Sequence, residues 1–166
     1  MEKPIWVYFA GKVGVRDWRH ALVPGLRESQ GIAAAPIKCD GFIYCGPFFI
    51  SCDHGCAHGP CTHGLGPSCA GETSPPRWLV PRLCYRWLGR ADLVFAWIDD
   101  PTCYGTLVEA GWAQAMGKPL YVAFASEDLA QQMWFAGGGA RTGSGVHSTA
   151  EDALRCALLY GNLERR

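Results

Sequence analysis

Glu109 closes the run Gly105-Thr106-Leu107-Val108-Glu109, a glycine-led stretch that opens a helical pattern. Two readings fit the spacing. A threonine followed three residues later by a glutamate is a capping box, in which Glu109 only satisfies a backbone N–H at the helix start. The same spacing puts a carboxylate in the first helical turn, where the positive end of the helix dipole keeps it ionised. There it sits at the mouth of the strand ends, where a substrate would lie.

A second concentration of reactive side chains runs from Cys52 through Asp53, His54, Cys56, His58 and Cys61 to His63. Thiolates and imidazoles suit Zn²⁺, and Cys52, His54, Cys56 and His58 are the first candidate ligands. The spacings are not those of a zinc finger or ribbon. The competing reading is a glycine-rich substrate loop whose His-Gly repeats shape a pocket, with no metal or other cofactor. Gly46-Pro47-Phe48-Phe49 just before it offers Phe48 and Phe49 either as an aromatic floor for a bound base or as core.

The elements that must position these residues follow from hydrophobic periodicity. Residues 5–10 form a continuous apolar run ending at Gly11, the pattern of a buried parallel strand. Residues 16–29 carry Trp18, Ala21, Leu22 and Leu26 at helical spacing. Residues 42–45 read as a weaker strand stopped by Gly46-Pro47. From 51 to 76 glycine, proline, cysteine and histidine dominate and no period survives, so this segment reads as a long irregular insertion. Helix follows Pro75-Pro76 to about residue 90. Residues 92–98 are the clearest strand, and 107–116 a helix closed by Gly117-Lys118-Pro119. A strand over 120–124 and a helix over 126–135, broken at Gly137-Gly138-Gly139, come next. Ser148-Thr149-Ala150-Glu151 signals the start of a last helix to about 160.

Strands that alternate with helices and are apolar throughout predict a single α/β domain over 1–166, built on a doubly wound, mainly parallel sheet of about five strands. Ligands of such sheets sit beyond the carboxyl ends of the strands. Loops 11–17, 46–76 and 99–106 are therefore the expected site.

Composition narrows the function classes. Of 166 residues, 49% are apolar and 18% charged, which is globular rather than disordered. The formal net charge is zero, against a nucleic-acid polymer as partner. No stretch approaches the length of a membrane span. Met1 to Trp6 lacks a secretory pattern, so the cytoplasm is the expected address. Nine cysteines, an odd number, argue for reduced thiols rather than a disulfide framework.

The Asp92-led strand Asp92-Leu93-Val94-Phe95-Ala96-Trp97, the run Gly105-Thr106-Leu107-Val108-Glu109-Ala110-Gly111-Trp112-Ala113 and the turn Gly117-Lys118-Pro119 together resemble the nucleoside 2-deoxyribosyltransferase family, including its nucleotide N-glycosidase relatives. The first strand, Val7 to Gly11, extends the likeness to about a third of the chain. The resemblance implies a flavodoxin-like fold, a homo-oligomer, and cleavage of a nucleoside or nucleotide N-glycosidic bond. It gives Glu109 the role of nucleophile at C1′, forming a glycosyl-enzyme that a second base or water resolves.

The resemblance also makes Tyr8 the support of that carboxylate and assigns the Gly11 turn to substrate, with Lys12 or Arg16 as candidates for a phosphate. Gly105 and Cys103 fall in the loop facing the sugar. Two positions depart from the family. Cys103 stands where transferases commonly carry Asp, and Cys84 where an Asp often helps protonate the base. Asp99 and Asp100 become the nearest candidate proton donors, with an ordinary turn before Pro101 as their other role.

Overall fold

The computed structural model describes residues 3–14, 17–26, 35–48, 50 and 79–163. Among these, β1 (Ile5–Gly11), β2 (Ile37–Lys38), β3 (Phe42–Tyr44), β4 (Leu93–Ile98), β5 (Leu120–Phe124) and β6 (Gly143–Val146) form one sheet. The helices are α1 (Arg19–Leu22), α2 (Val80–Arg90), α3 (Tyr104–Ala115), α4 (Glu127–Gln132), α5 (Trp134–Gly138) and α6 (Ala150–Leu163).

The sheet order is β2-β3-β1-β4-β5-β6. All neighbours are parallel except β2 with β3, a short antiparallel pair at one edge. From β1 the chain goes outward to β3, then crosses back to add β4 on the other flank. The order therefore reverses between β1 and β4, and that switch point leaves a crevice beyond Gly11 and Ile98. Helices cover both faces. Ile5 and Leu93 meet α6 at Gly161, whereas Tyr8, pointing the other way, meets α3.

The apolar runs are buried as their composition requires. Every residue of β4 and β5 is buried. Asp92 extends β4 without a strand side chain: its Oδ2 accepts the Trp6 backbone N–H at 2.9 Å and its own N–H donates to the Trp6 carbonyl at 2.8 Å. Helix α2 buries Leu83, Cys84, Trp87 and Leu88, the i, i+1, i+4, i+5 stripe of an amphipathic helix. Phe48 packs edge-to-face against Tyr44 and Trp87.

Gly117-Lys118-Pro119 has a physical account. Gly117 takes φ of 65°, which closes a Schellman motif: its N–H reaches the Gln114 carbonyl and that of Lys118 reaches the Ala113 carbonyl. Lys118 Nζ then donates to the Gly89 and Ala91 carbonyls at 2.7 and 2.8 Å, finishing α2. One tripeptide thus ends two helices before β5 begins.

Several expectations shift. The helix expected over 16–29 is described only as the four residues of α1 and the turn to Leu26. The last helix is capped one residue later than expected, by Thr149 Oγ1 accepting the Asp152 N–H at 3.1 Å. The glycines at 137 and 138 lie inside α5 rather than breaking a helix. The expected insertion over 51–76 lies outside the described residues, and no helix among those described is long and apolar enough to cross a membrane.

Candidate active site

A cavity of about 460 Å³ opens at the switch point. Gly11, Lys12 and Val13 from the end of β1 line it, with Thr102 to Thr106 and Glu109 from the start of α3, and Cys84 from α2. Two of the three loops expected from sequence meet here, together with Pro47 from the third. Helix α2 brings Cys84, the residue that stands where the resemblance would place an Asp, to the cavity wall, whereas the lining by Val80 and Pro81 carried no sequence signal.

Helix α3 begins at Tyr104 with Cys103 as N-cap, and no side chain caps it. Thr106 is therefore already the third helical residue and Glu109 lies in the second turn. The capping box does not form: Thr106 is buried, and its Oγ1 has no hydrogen-bond partner among the described residues. Glu109 thus lies beyond the first turn, where the helix dipole does most to sustain a negative charge.

Other groups hold the carboxylate. Tyr8, fully buried in β1, donates its hydroxyl to Glu109 Oε1 at 2.5 Å. Cys84, from α2, lines the same cavity as Glu109. Burial raises the Glu109 pKa above its ordinary value, while Tyr8, the Arg19 charge and Cys84 hold the rise back. Burial pushes Tyr8 and Cys84 well above their usual ranges, with Glu109 adding to both, so each stays neutral and can donate.

Arg19 is the cationic member of this neighbourhood, and sequence gave no sign of it. Its side chain is fully buried. It pairs with both Asp17 oxygens at 2.8 and 2.9 Å and donates to the Phe9 and Gly11 carbonyls at 3.2 and 2.6 Å. Burial disfavours its charge, but Asp17, Tyr44 and Glu109 together more than offset that and its pKa is raised. Gly11 is fixed by this packing: a Cβ there would stand 2.9 Å from the Trp18 ring and 3.0 Å from the Arg19 guanidinium. At Gly105 a Cβ would meet only open space.

At the cavity mouth Lys12 Nζ donates to Asp100 Oδ2 at 2.7 Å and to Thr102 Oγ1 at 2.6 Å. These bonds, Lys12 first and Thr102 second, hold the Asp100 pKa down to about 2. Asp100 is thus a fixed anion and a poor proton donor near neutrality, a correction to the role expected of it. Asp100 also accepts from the Thr102 N–H at 2.7 Å, the turn geometry that was its other reading. Desolvation raises Asp99, which does not line the cavity. Cys103 is buried at the cavity wall, and burial raises its thiol pKa.

Phe48 is no base-binding floor, since its ring is buried between Tyr44 and Trp87. Phe49, Arg16 and the candidate metal ligands Cys52, His54, Cys56 and His58 lie outside the described residues. Among the described residues no group of three or more His, Cys, Asp or Glu side chains is placed to hold a metal ion.

Fold and cavity define an α/β domain with one carboxylate, Glu109, among the described residues that line a cleft at the strand carboxyl ends. No protein-family model matches the chain, and no curated protein matches it significantly.

Proposed function

We propose that this chain cleaves the N-glycosidic bond of a nucleoside or nucleotide through a covalent glycosyl intermediate on Glu109. The observation that carries the reading is the Tyr8–Glu109 hydrogen bond at the edge of the switch-point cavity. An otherwise buried carboxylate is presented there to a space large enough for a small ligand. In the first step a Glu109 oxygen bonds to C1′ and the C1′–N bond breaks, its electron pair leaving with the base, which takes a proton from water. In the second step another base, or water, attacks C1′ and frees Glu109. Two inversions retain configuration.

The reading includes membership of the nucleoside 2-deoxyribosyltransferase family, a flavodoxin-like fold and a homo-oligomeric state. The order of the five parallel strands, β3-β1-β4-β5-β6, supports the fold assignment. Cys103 leaves no negative charge at the sugar side, and Lys12 stands at the mouth, so a 5′-phosphate or a 2′-hydroxyl fits better than in a transferase with Asp at that position. A second reading, nucleotide binding without turnover, is favoured by the commitment of Asp100 to Lys12, which removes one proton donor.

A screen of nucleosides and their monophosphates for base release, with and without an acceptor base, tests the proposal. Release only with acceptor marks a transferase, and release in water a hydrolase. Measurable binding without release from any substrate supports the second reading instead.

A further inference from the structure

The buried residues of α3, Thr106, Ala110 and Ala113, are all small. A second set of side chains on the helix is large and apolar. Tyr104, Val108 and Trp112 follow one another at i, i+4 and i+8, which sets them on one face. All three line the switch-point cavity. Tyr104 is 71% exposed and Val108 50%, so neither is committed to the core. An amphipathic helix ordinarily turns such a stripe inward, and here it is turned to the cavity.

Helix α2 supplies the neighbouring wall through Val80 and Pro81. Tyr85, one turn beyond Pro81, meets the Trp112 ring edge-to-face, with 5.3 Å between centroids and 86° between planes, and steadies the indole. Along α3, Glu109 stands between two chemically different ends of the cavity. Lys12 and Thr102 lie ahead of the helix start, where Lys12 Nζ donates to Thr102 Oγ1. Val108 and Trp112, with Val80 and Pro81 from α2, form the other end, and their only side-chain hydrogen-bonding group is the indole N–H.

We propose that the α2–α3 side of the cavity is a subsite for a planar heteroaromatic ring of the ligand, with Trp112 as the residue against which that ring packs. Flat π faces favour a flat, polarisable ring over a flexible chain. Trp112 lies three residues past Glu109, about 4.5 Å along the helix axis. A ring bonded directly to a carbon held at Glu109 therefore reaches it without a linker. The proposal rests on the N-glycosidase reading only in taking the ring to be the base. The sugar then stands at Glu109, with its polar substituents toward Lys12 and Thr102.

The test measures, by calorimetry, the binding of adenine, adenosine monophosphate and ribose 5-phosphate, the last of which lacks the base. Trp112→Ala should weaken adenine and the monophosphate about 5- to 100-fold and leave ribose 5-phosphate within about twofold. Trp112→Phe, which keeps a ring, should retain most of the affinity. Adenine bound equally well by Trp112→Ala overturns the proposal, as does a Phe variant as weak as Ala. Ribose 5-phosphate weakened as much as the monophosphate also overturns it, because Trp112 would then support the whole cavity. So does a wild type that binds neither ring-bearing ligand. Should the Trp112 variants fail to fold, Val108→Arg at its half-exposed position fills the same space, and adenine must weaken there by a similar factor or the proposal fails. Base release read in parallel separates the two ideas. Adenine held through Trp112 without release from any substrate would sink the catalytic reading and leave the ring subsite. Release that depends on Glu109, with adenine affinity indifferent to Trp112, would do the reverse.

Discussion

Asp100 and Glu109 flank the start of the same helix and are held in opposite ways. Asp100 stands at the cavity mouth, with Lys12 and Thr102 bonded to it, and these partners pull its pKa down to about 2. Glu109 is half-buried, has the neutral Tyr8 hydroxyl as its donor in place of a direct cation, and is raised instead. Hydrogen bonds from Lys12 and Thr102 decide the first case and desolvation the second. An anion permanently tied to a lysine is a structural clip. A carboxylate kept short of full stabilisation retains the reactivity that bond formation to carbon requires.

The contrast depends on Arg19, whose charge reaches Glu109 from inside the fold while Asp17 neutralises it locally. Breaking that arrangement has the largest expected effect. Arg19→Met leaves Asp17 buried without its partner and frees the Phe9 and Gly11 carbonyls, so denaturant unfolding should show a loss of about 3–5 kcal/mol. A loss below about 1 kcal/mol would mean that water reaches the pair and screens it.

A smaller effect sharpens the Glu109 half of the comparison. Its pKa is raised above the ordinary 4.5, so between 4.5 and the raised value the folded protein keeps a proton that the unfolded chain has lost. Stability therefore falls as pH rises through that window. Glu109→Gln carries no such titration. Its melting temperature relative to wild type should climb from pH 4 upward and then level off. A difference that shrinks with rising pH would reverse the assigned sign.

The least effect belongs to Asp100. Asp100→Asn removes an exposed ion pair, and such pairs contribute little. Melting should be unchanged within error and base release altered by no more than about threefold, since the fixed anion donates no proton. A loss of two orders of magnitude would restore Asp100 as the general acid.

The sequence made some of this architecture legible and hid the rest, for identifiable reasons. Strands β1, β4 and β5 are unbroken apolar runs buried on both faces, and such runs announce themselves. Strand β6 is Gly-Ser-Gly-Val at the sheet edge, half-exposed, with no apolar alternation to find. Strand β2 has two residues. Glu109 and Tyr8 were both marked in advance, but their contact spans 101 positions of chain and only the fold brings it about. Thr106 and Glu109 have capping-box spacing, yet α3 starts at Tyr104 and leaves that signal inside the helix. Arg19 and Asp17 carried no local pattern, because what they do depends on neighbours from other elements.

The account turns on Glu109 as the attacking group, and the most direct measurement is base release by wild type and by Glu109→Gln on whichever substrate the wild type cleaves. Gln keeps the shape and removes the charge, and the melting experiment above establishes that the variant is folded. The account predicts a fall in kcat/KM of at least a hundredfold, with substrate binding retained. A folded Glu109→Gln protein that releases base at more than a hundredth of the wild-type rate would contradict it.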